Sequence, residues 1–238
     1  MATARPTAAD TAEAWRERVV REHETIQEDP TAPLAQVYLL EELAKGQPVS
    51  PERAAELLGV SREEIDELFS AIEAAGGQIN GQGDFIGMAL TLKPTRHSIR
   101  VNDNDMYAWC SLDTILLPGV LEAEAEIEST DPITGETIQL TVNADQIVKV
   151  DPPGAVTSIF VPGRTPTETG DDELVAGAES EVCTSMLFYA SRKNAEKALA
   201  NYSNIAIFTV EEAFNLARAT WTEPTRALRK QAVASDQR

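Results

Sequence analysis

Between residues 34 and 93 the chain is punctuated so closely that few folds can accommodate it. Leu34, Val37, Leu40, Leu43 and Ala44 recur at helical spacing, and Gly46 closes that segment. Ser50 then offers an N-cap hydroxyl, Pro51 suits the first helical position, and residues 53–58 make a short helix ended by Gly59. Ser61 caps a third helix, with Glu64 completing a capping box and Ile65, Leu68, Phe69 and Ile72 on the apolar face until Gly76-Gly77. The stretch GQINGQGDFIGMALTLK predicts a hairpin that turns at Gly81 and Gly83 and returns along residues 85–92. Helix, short helix, longer helix and ribbon is the order of a winged helix.

Upstream, residues 1–30 predict a loosely attached amphipathic helix. Asp10 is its cap with Glu13 three residues on, Trp15, Val19, Val20 and Ile26 form a sparse apolar face, and Pro30 and Pro33 end it. Downstream, 94–165 is strand-rich, with strands expected at His97–Val101, 123–128, Thr137–Val142 and 156–161. Turns fall at Asp131-Pro132, Thr134-Gly135 and 151–154. Residues 163–181 form a long acidic loop of the kind used as a lid or an insertion. Beyond it, 182–191 predicts a strand, Ser191 caps a helix to about 201, 204–208 is a buried strand, and 210–220 is a helix with Phe214 and Leu216 inward. From Thr222 onward the chain reads as a polar, solvated tail. The fold class is α+β: an N-terminal winged-helix-like domain followed by a mixed or antiparallel β core with flanking helices.

Charge narrows the function. Among 238 residues, 20 Lys and Arg stand against 39 Asp and Glu, a net charge of −19. Such a surface opposes both nucleic acid and anionic membrane. The helix that would read DNA carries Glu63, Glu64, Asp66, Glu67 and Glu73 against a single Arg62, so the winged-helix order serves another purpose. No apolar run approaches the roughly 18 residues of a membrane span, and the longest, 114–120, is interrupted by Pro118. The N-terminus lacks the apolar segment of a secretory signal, which makes the cytoplasm the expected location.

Chemistry must come from scarce residues. His23 and His97 are too few for a histidine metal site, and the two cysteines, Cys110 and Cys183, are not expected to form a disulfide in a reducing compartment. Lone cysteines are ordinarily small buried hydrophobes. However, YAWCSLDT sets Cys110 and Asp113 at i and i+3, one turn apart if the segment opens a helix, whose N-terminus favours thiolate. Cys183 follows the long loop at the start of the expected strand. Two thiols and a carboxylate would suit a soft, thiophilic metal with a proton donor beside it.

From about Leu34 to Leu216 the chain resembles the organomercurial (alkylmercury) lyase family. The resemblance is carried by LLEELAKGQPVS (39–50), GMALTLKPT (87–95), MYAWCSLDTILLP (106–118), TGETIQLTV (134–142), FYAS (188–191) soon after Cys183, and EEAF (211–214). It implies that Cys110, Asp113 and Cys183 are catalytic and that the same three side chains hold the Hg(II) product. It implies protonolysis of a carbon–mercury bond to a hydrocarbon and Hg(II), without an organic cofactor, in a pocket lined by Tyr107 and Trp109. Its implied partners are an organomercury substrate, small cytosolic thiols that release Hg(II), and a mercuric reductase that receives it, with no nucleic acid and no membrane. The alternative within the same resemblance is a non-catalytic relative that only sequesters a soft metal on its thiols. The implied organisation is an N-terminal helical arm (1–33), the winged-helix-like domain (34–93) packed against a catalytic core (94–221), and the polar tail (222–238). The chain departs from the family pattern twice. Asp131 stands where many members carry a third, structural cysteine, and the acidic loop before Cys183 is longer than expected.

Overall fold

The computed structural model of the chain describes residues 5–26, 31–162 and 180–236. The acidic loop expected at 163–181 lies almost wholly outside the described residues, as do the side chains of Val19, Val20 and Ile26.

Helix α1 (Ala8–Ile26) is capped three residues before the expected position: Thr7 Oγ1 accepts the Asp10 N–H, one of the free N–H groups of the first turn, at 3.1 Å. This helix is docked rather than loose, because the buried Trp15 donates its indole N–H to the Phe160 carbonyl at 2.9 Å. Helix α2 (Thr31–Leu43) takes Pro33 into its first turn, where a missing N–H costs no helical bond. In α3 (Pro51–Leu58) Ser50 is the cap and Gly59 adopts φ +68°, and in α4 (Arg62–Ala74) Ser61 and Glu64 form the reciprocal capping box. Ile65, Phe69 and Ile72 are buried, as their spacing requires. The hairpin pairs β1 (Gln78–Ile79) with β2 (Phe85–Met88), but the expected return strand breaks at Ala89, whose φ of +61° redirects the chain into β3 (Leu90–Thr91).

These strands continue into a single antiparallel sheet with β4 (His97–Val101), β5 (Asn104–Ala108), β6 (Ala125–Thr130), β7 (Thr137–Val142) and β8 (Ile147–Asp151), in the order β1-β2-β3-β5-β4-β6-β7-β8. Strand β8 was not expected; its residues are half-buried or exposed, so no alternation betrays it. A second antiparallel sheet places β9 (Val156–Phe160) between β10 (Phe188–Tyr189) and β11 (Ile205–Thr209). Between the sheets runs α5 (Ser111–Val120), packed against β3, β4, β5 and β9. One apolar core extends from Val37 and Phe69 through Phe85, Ile99 and Leu117 to Phe214.

Two expectations are corrected near the end of the chain. Residues 182–191 are not one strand. Their apolar composition suits a sheet, but Ser180 Oγ accepts the Cys183 N–H at 3.2 Å and turns Glu181–Ser185 into a short helix, α6, before β10. After α7 (Arg192–Ala198) and α8 (Val210–Ala217), the helix widens into a π-turn (Arg218–Thr222) and continues as α9 (Glu223–Asp236), where a solvated tail was expected. The polar composition of α9 hides its partners. Arg229 donates to Glu41 Oε1 at 2.5 Å, to Glu122 Oε2 at 3.1 Å and to the Val120 carbonyl at 2.6 Å, tying α9 to α2 and to the end of α5. Among the described residues no helix is long and apolar enough to cross a membrane.

Glu41 and Glu122 stay partly open to water, but Arg229 is mostly buried and also donates to the Val120 carbonyl, which raises the worth of the clamp above that of an exposed pair. Arg229→Ala is therefore expected to lower unfolding stability by about 1–3 kcal/mol in urea titrations. A change below about 0.5 kcal/mol, the usual effect of a surface substitution, would mean that α9 is held by its apolar contacts alone.

Candidate active site

Every residue of α5 is buried except Asp113, which is half-buried. Cys110 is the N-cap of this helix, taking the place that a serine or threonine usually fills. Its sulfur accepts the Asp113 N–H at 3.4 Å, while Asp113 Oδ2 accepts the Cys110 N–H at 3.1 Å. The i, i+3 spacing of the sequence is thus a reciprocal cap that fixes the carboxylate beside the thiol. The preceding residue is fixed too: the Trp109 N–H donates to the carbonyl of the left-handed Ala89 at 2.9 Å.

Cys183 reaches the same place from α6. The Ser111 N–H donates to the Met186 carbonyl at 3.1 Å, and the Met186 N–H donates to the Cys183 carbonyl at 3.2 Å. Two adjacent hydroxyls of β9 lock both elements. Thr157 Oγ1 and Ser111 Oγ share a hydrogen bond of 2.6 Å, and Ser158 Oγ donates to the Ser185 carbonyl at 2.7 Å while accepting the Leu187 N–H at 2.9 Å. The two sulfurs and an Asp113 carboxylate oxygen consequently lie within 4.8 Å of one another. Among the described residues this is the one group of three or more potential ligands so arranged. Neither cysteine is in a disulfide, and both are buried. His97 belongs to a separate structural contact: it is buried against Phe188, its Nδ1 is 2.9 Å from Ser129 Oγ, and burial lowers its pKa to about 3.

Burial governs the protons. It pushes the Cys110 thiol well above its ordinary range, helped by a hydrogen bond with Cys183 and by the charge of Asp113, and this outweighs the lowering expected at a helix N-terminus. Burial likewise raises Asp113 to about 6, against the lowering effect of its hydrogen bonds from Cys110. At neutral pH the site therefore holds a protonated Cys110 thiol beside a carboxylate that can take up a proton with little cost.

Asp113 and Cys183 open onto an apolar cavity of about 430 Å³, which α1, α2, α5, the π-turn and α9 enclose. Trp109 lines it, and its indole N–H is buried with no acceptor among the described residues. Tyr107 does not line it: it is half-buried on β5, between the buried Met106 and Ala108. Sequence reasoning missed Trp15, Met88, Trp221 and Leu228 as further wall residues. The scarcity of tryptophan was the available signal, since all three in the chain meet here.

The model of the alkylmercury lyase family matches residues 90–222. Alkylmercury lyases of Staphylococcus epidermidis and Bacillus cereus are 34% identical over 180 residues and 35% over 184, covering 76% and 77% of this chain and 78% and 79% of theirs. The chain belongs to the alkylmercury lyase family. A Pseudomonas putida alkylmercury lyase is 31% identical over 180 residues, covering 76% of this chain and 79% of its own. In fold, the chain is similar to the mercury-bound form of MerB2, with a TM-score of 0.68 over 88% of this chain and 96% of that one, at 18% identity.

Asp131 is a buried acid, and its surroundings explain how it is tolerated there. Burial opposes its charge. Nevertheless, Asn194 Nδ2 at 2.7 Å and the N–H groups of Ala190, Ile133 and Thr134, at 2.8, 2.7 and 3.2 Å, hold its carboxyl below the usual range. The carboxylate joins the β6–β7 turn to the end of β10.

The raised pKa of Asp113 carries a stability consequence. A carboxyl whose folded pKa lies above its unfolded value destabilises the fold at pH above 6, and the penalty disappears as pH falls through 6 towards 4. Asp113→Asn keeps the cap and removes the charge. Its melting temperature should exceed that of the wild type at pH 8 by about 2–4 °C for each kcal/mol relieved, and the gap should be roughly halved at pH 5 and nearly closed by about pH 4. A gap that is constant with pH would show that the charge is not the cause.

Proposed function

We propose that the chain cleaves the carbon–mercury bond of alkyl or aryl mercury by protonolysis, with Cys110 and Cys183 as sulfur ligands and Asp113 as the proton carrier. The supporting observation is the meeting of two buried thiols and a carboxyl of raised pKa within 4.8 Å, at the head of an apolar cavity. Mercury is soft and prefers sulfur to the oxygen and nitrogen ligands available. Binding of R–Hg⁺ by the first thiol releases that thiol's proton, and binding by the second passes its proton to Asp113. Donation from two sulfurs weakens the carbon–mercury bond. The electron pair of that bond takes the Asp113 proton, so that R–H leaves and Hg(II) remains on the two thiolates. The balance is R–Hg⁺ plus two thiols giving R–H, the Hg(II) dithiolate and one proton. A carboxyl near pKa 6 suits this role, because it is neither too basic to release the proton nor too acidic to accept it.

In this reading small thiols displace Hg(II) and pass it to a mercuric reductase in the cytoplasm. The winged-helix-like portion, 34–93, serves as a packing module with no nucleic acid or membrane partner, in keeping with the acidic surface of α4. Residues 94–221 carry the chemistry, and no organic cofactor is needed.

The reading is tested by benzene or methane release from phenylmercury or methylmercury with excess thiol. Cys110→Ser should abolish release. Asp113→Ala should retain Hg(II) while slowing release by about 10²–10⁴-fold, the usual worth of a positioned acid. Stoichiometric mercury binding by the wild type with no hydrocarbon would reject the enzyme and leave a sequestering protein.

A further inference from the structure

All three tryptophans of the chain converge on the cavity below the thiols: Trp15 from α1, Trp109 from the residue before Cys110, and Trp221 from the π-turn. The carbon–mercury chemistry proposed above makes no use of Trp15 or Trp221. Their rings nevertheless meet, with centroids 5.5 Å apart and planes inclined by 58°. Each is held from behind. Trp15 is anchored through its N–H to the Phe160 carbonyl at 2.9 Å. Trp221 is carried on a helical turn widened to π geometry, in which Thr222 presses so closely on α5 that a Cβ on Gly119 would overlap Thr222 Oγ1. Such turns are rare, occur mostly as single insertions within α-helices, and are frequent at functional sites.

The cavity is also large for the smallest substrates. Its volume of about 430 Å³ falls in the range of pockets that enclose whole organic ligands. A methyl group bound through mercury at Cys110 and Cys183 would leave most of that wall untouched. A planar aryl group can meet the inclined indoles edge-to-face, an arrangement that adds to simple burial.

We propose that Trp221, backed by Trp15, is a specificity-determining residue that makes this site favour aryl over methyl groups on mercury. The proposal rests on the lyase reading above and names the organic class it selects.

The experiment compares kcat/KM for phenylmercury and methylmercury in the full-length wild type, Trp221→Ala and Trp221→Phe. Trp221→Ala should lose about tenfold more on phenylmercury than on methylmercury. Trp221→Phe, which keeps a ring in place, should recover most of that difference. Methylmercury turnover in each preparation reports whether the fold and the Cys110–Asp113–Cys183 group are intact. An unchanged phenyl-to-methyl ratio in Trp221→Ala, whether both rates fall together or neither falls, overturns the proposal. Hydrocarbon from neither substrate with the wild type overturns the lyase reading and the proposal with it.

Discussion

A ten-residue helix enclosed on all sides sets the terms for the rest of the molecule. Apolar side chains all round α5 demand a neighbour on every face, so two sheets, α8 and the π-turn must surround it. Its first turn is then trapped with four backbone N–H groups needing partners. Cys110 and Asp113 supply two of those partners reciprocally. One of the two capping side chains, Asp113, thereby faces the cavity, and the cap sets the Cys110 thiol beside it.

The second thiol arrives by a different device. Cys183 belongs to a helix of five residues, too short to stand alone, and its position depends on strand β9. Thr157 holds the helix that begins after Cys110, and its neighbour Ser158 holds the segment that follows Cys183. Hydroxyls in a fully buried strand are costly unless bonded, and both of these are bonded to the two elements that carry sulfur. The same burial that makes the site rigid keeps the Cys110 thiol protonated, so a soft metal binding there must displace its proton, and Asp113 is the adjacent group able to receive one.

What sequence reasoning recovers follows the range of the interactions. Ser50, Ser61 with Glu64, and Cys110 with Asp113 act within a single turn, and each cap is where the local pattern puts it. Strand β7 and the turn at Gly135 are equally local. Helix α9 was hidden because its arginines find their partners on α2 and beyond α5, more than a hundred residues away. Residues 182–191 mislead because the strand-like composition of that segment is overruled by one serine cap and by the grip of β9. Trp15 and Trp221 sit at opposite ends of the chain, and nothing between neighbours in sequence announces that they meet. Asp131 looked like a simple loss of a cysteine, whereas its carboxylate gathers four N–H groups across two segments.

The central claim is that the carbon receives a proton from exchangeable groups of the protein while its bonding electrons stay with it. The most direct measurement is turnover of methylmercury in D₂O with deuterated thiol, with mass analysis of the released gas. The account predicts methane carrying a single deuterium, formed at a rate that falls when Asp113 is replaced by alanine. Methane without deuterium, or ethane from coupled methyl radicals, would contradict it.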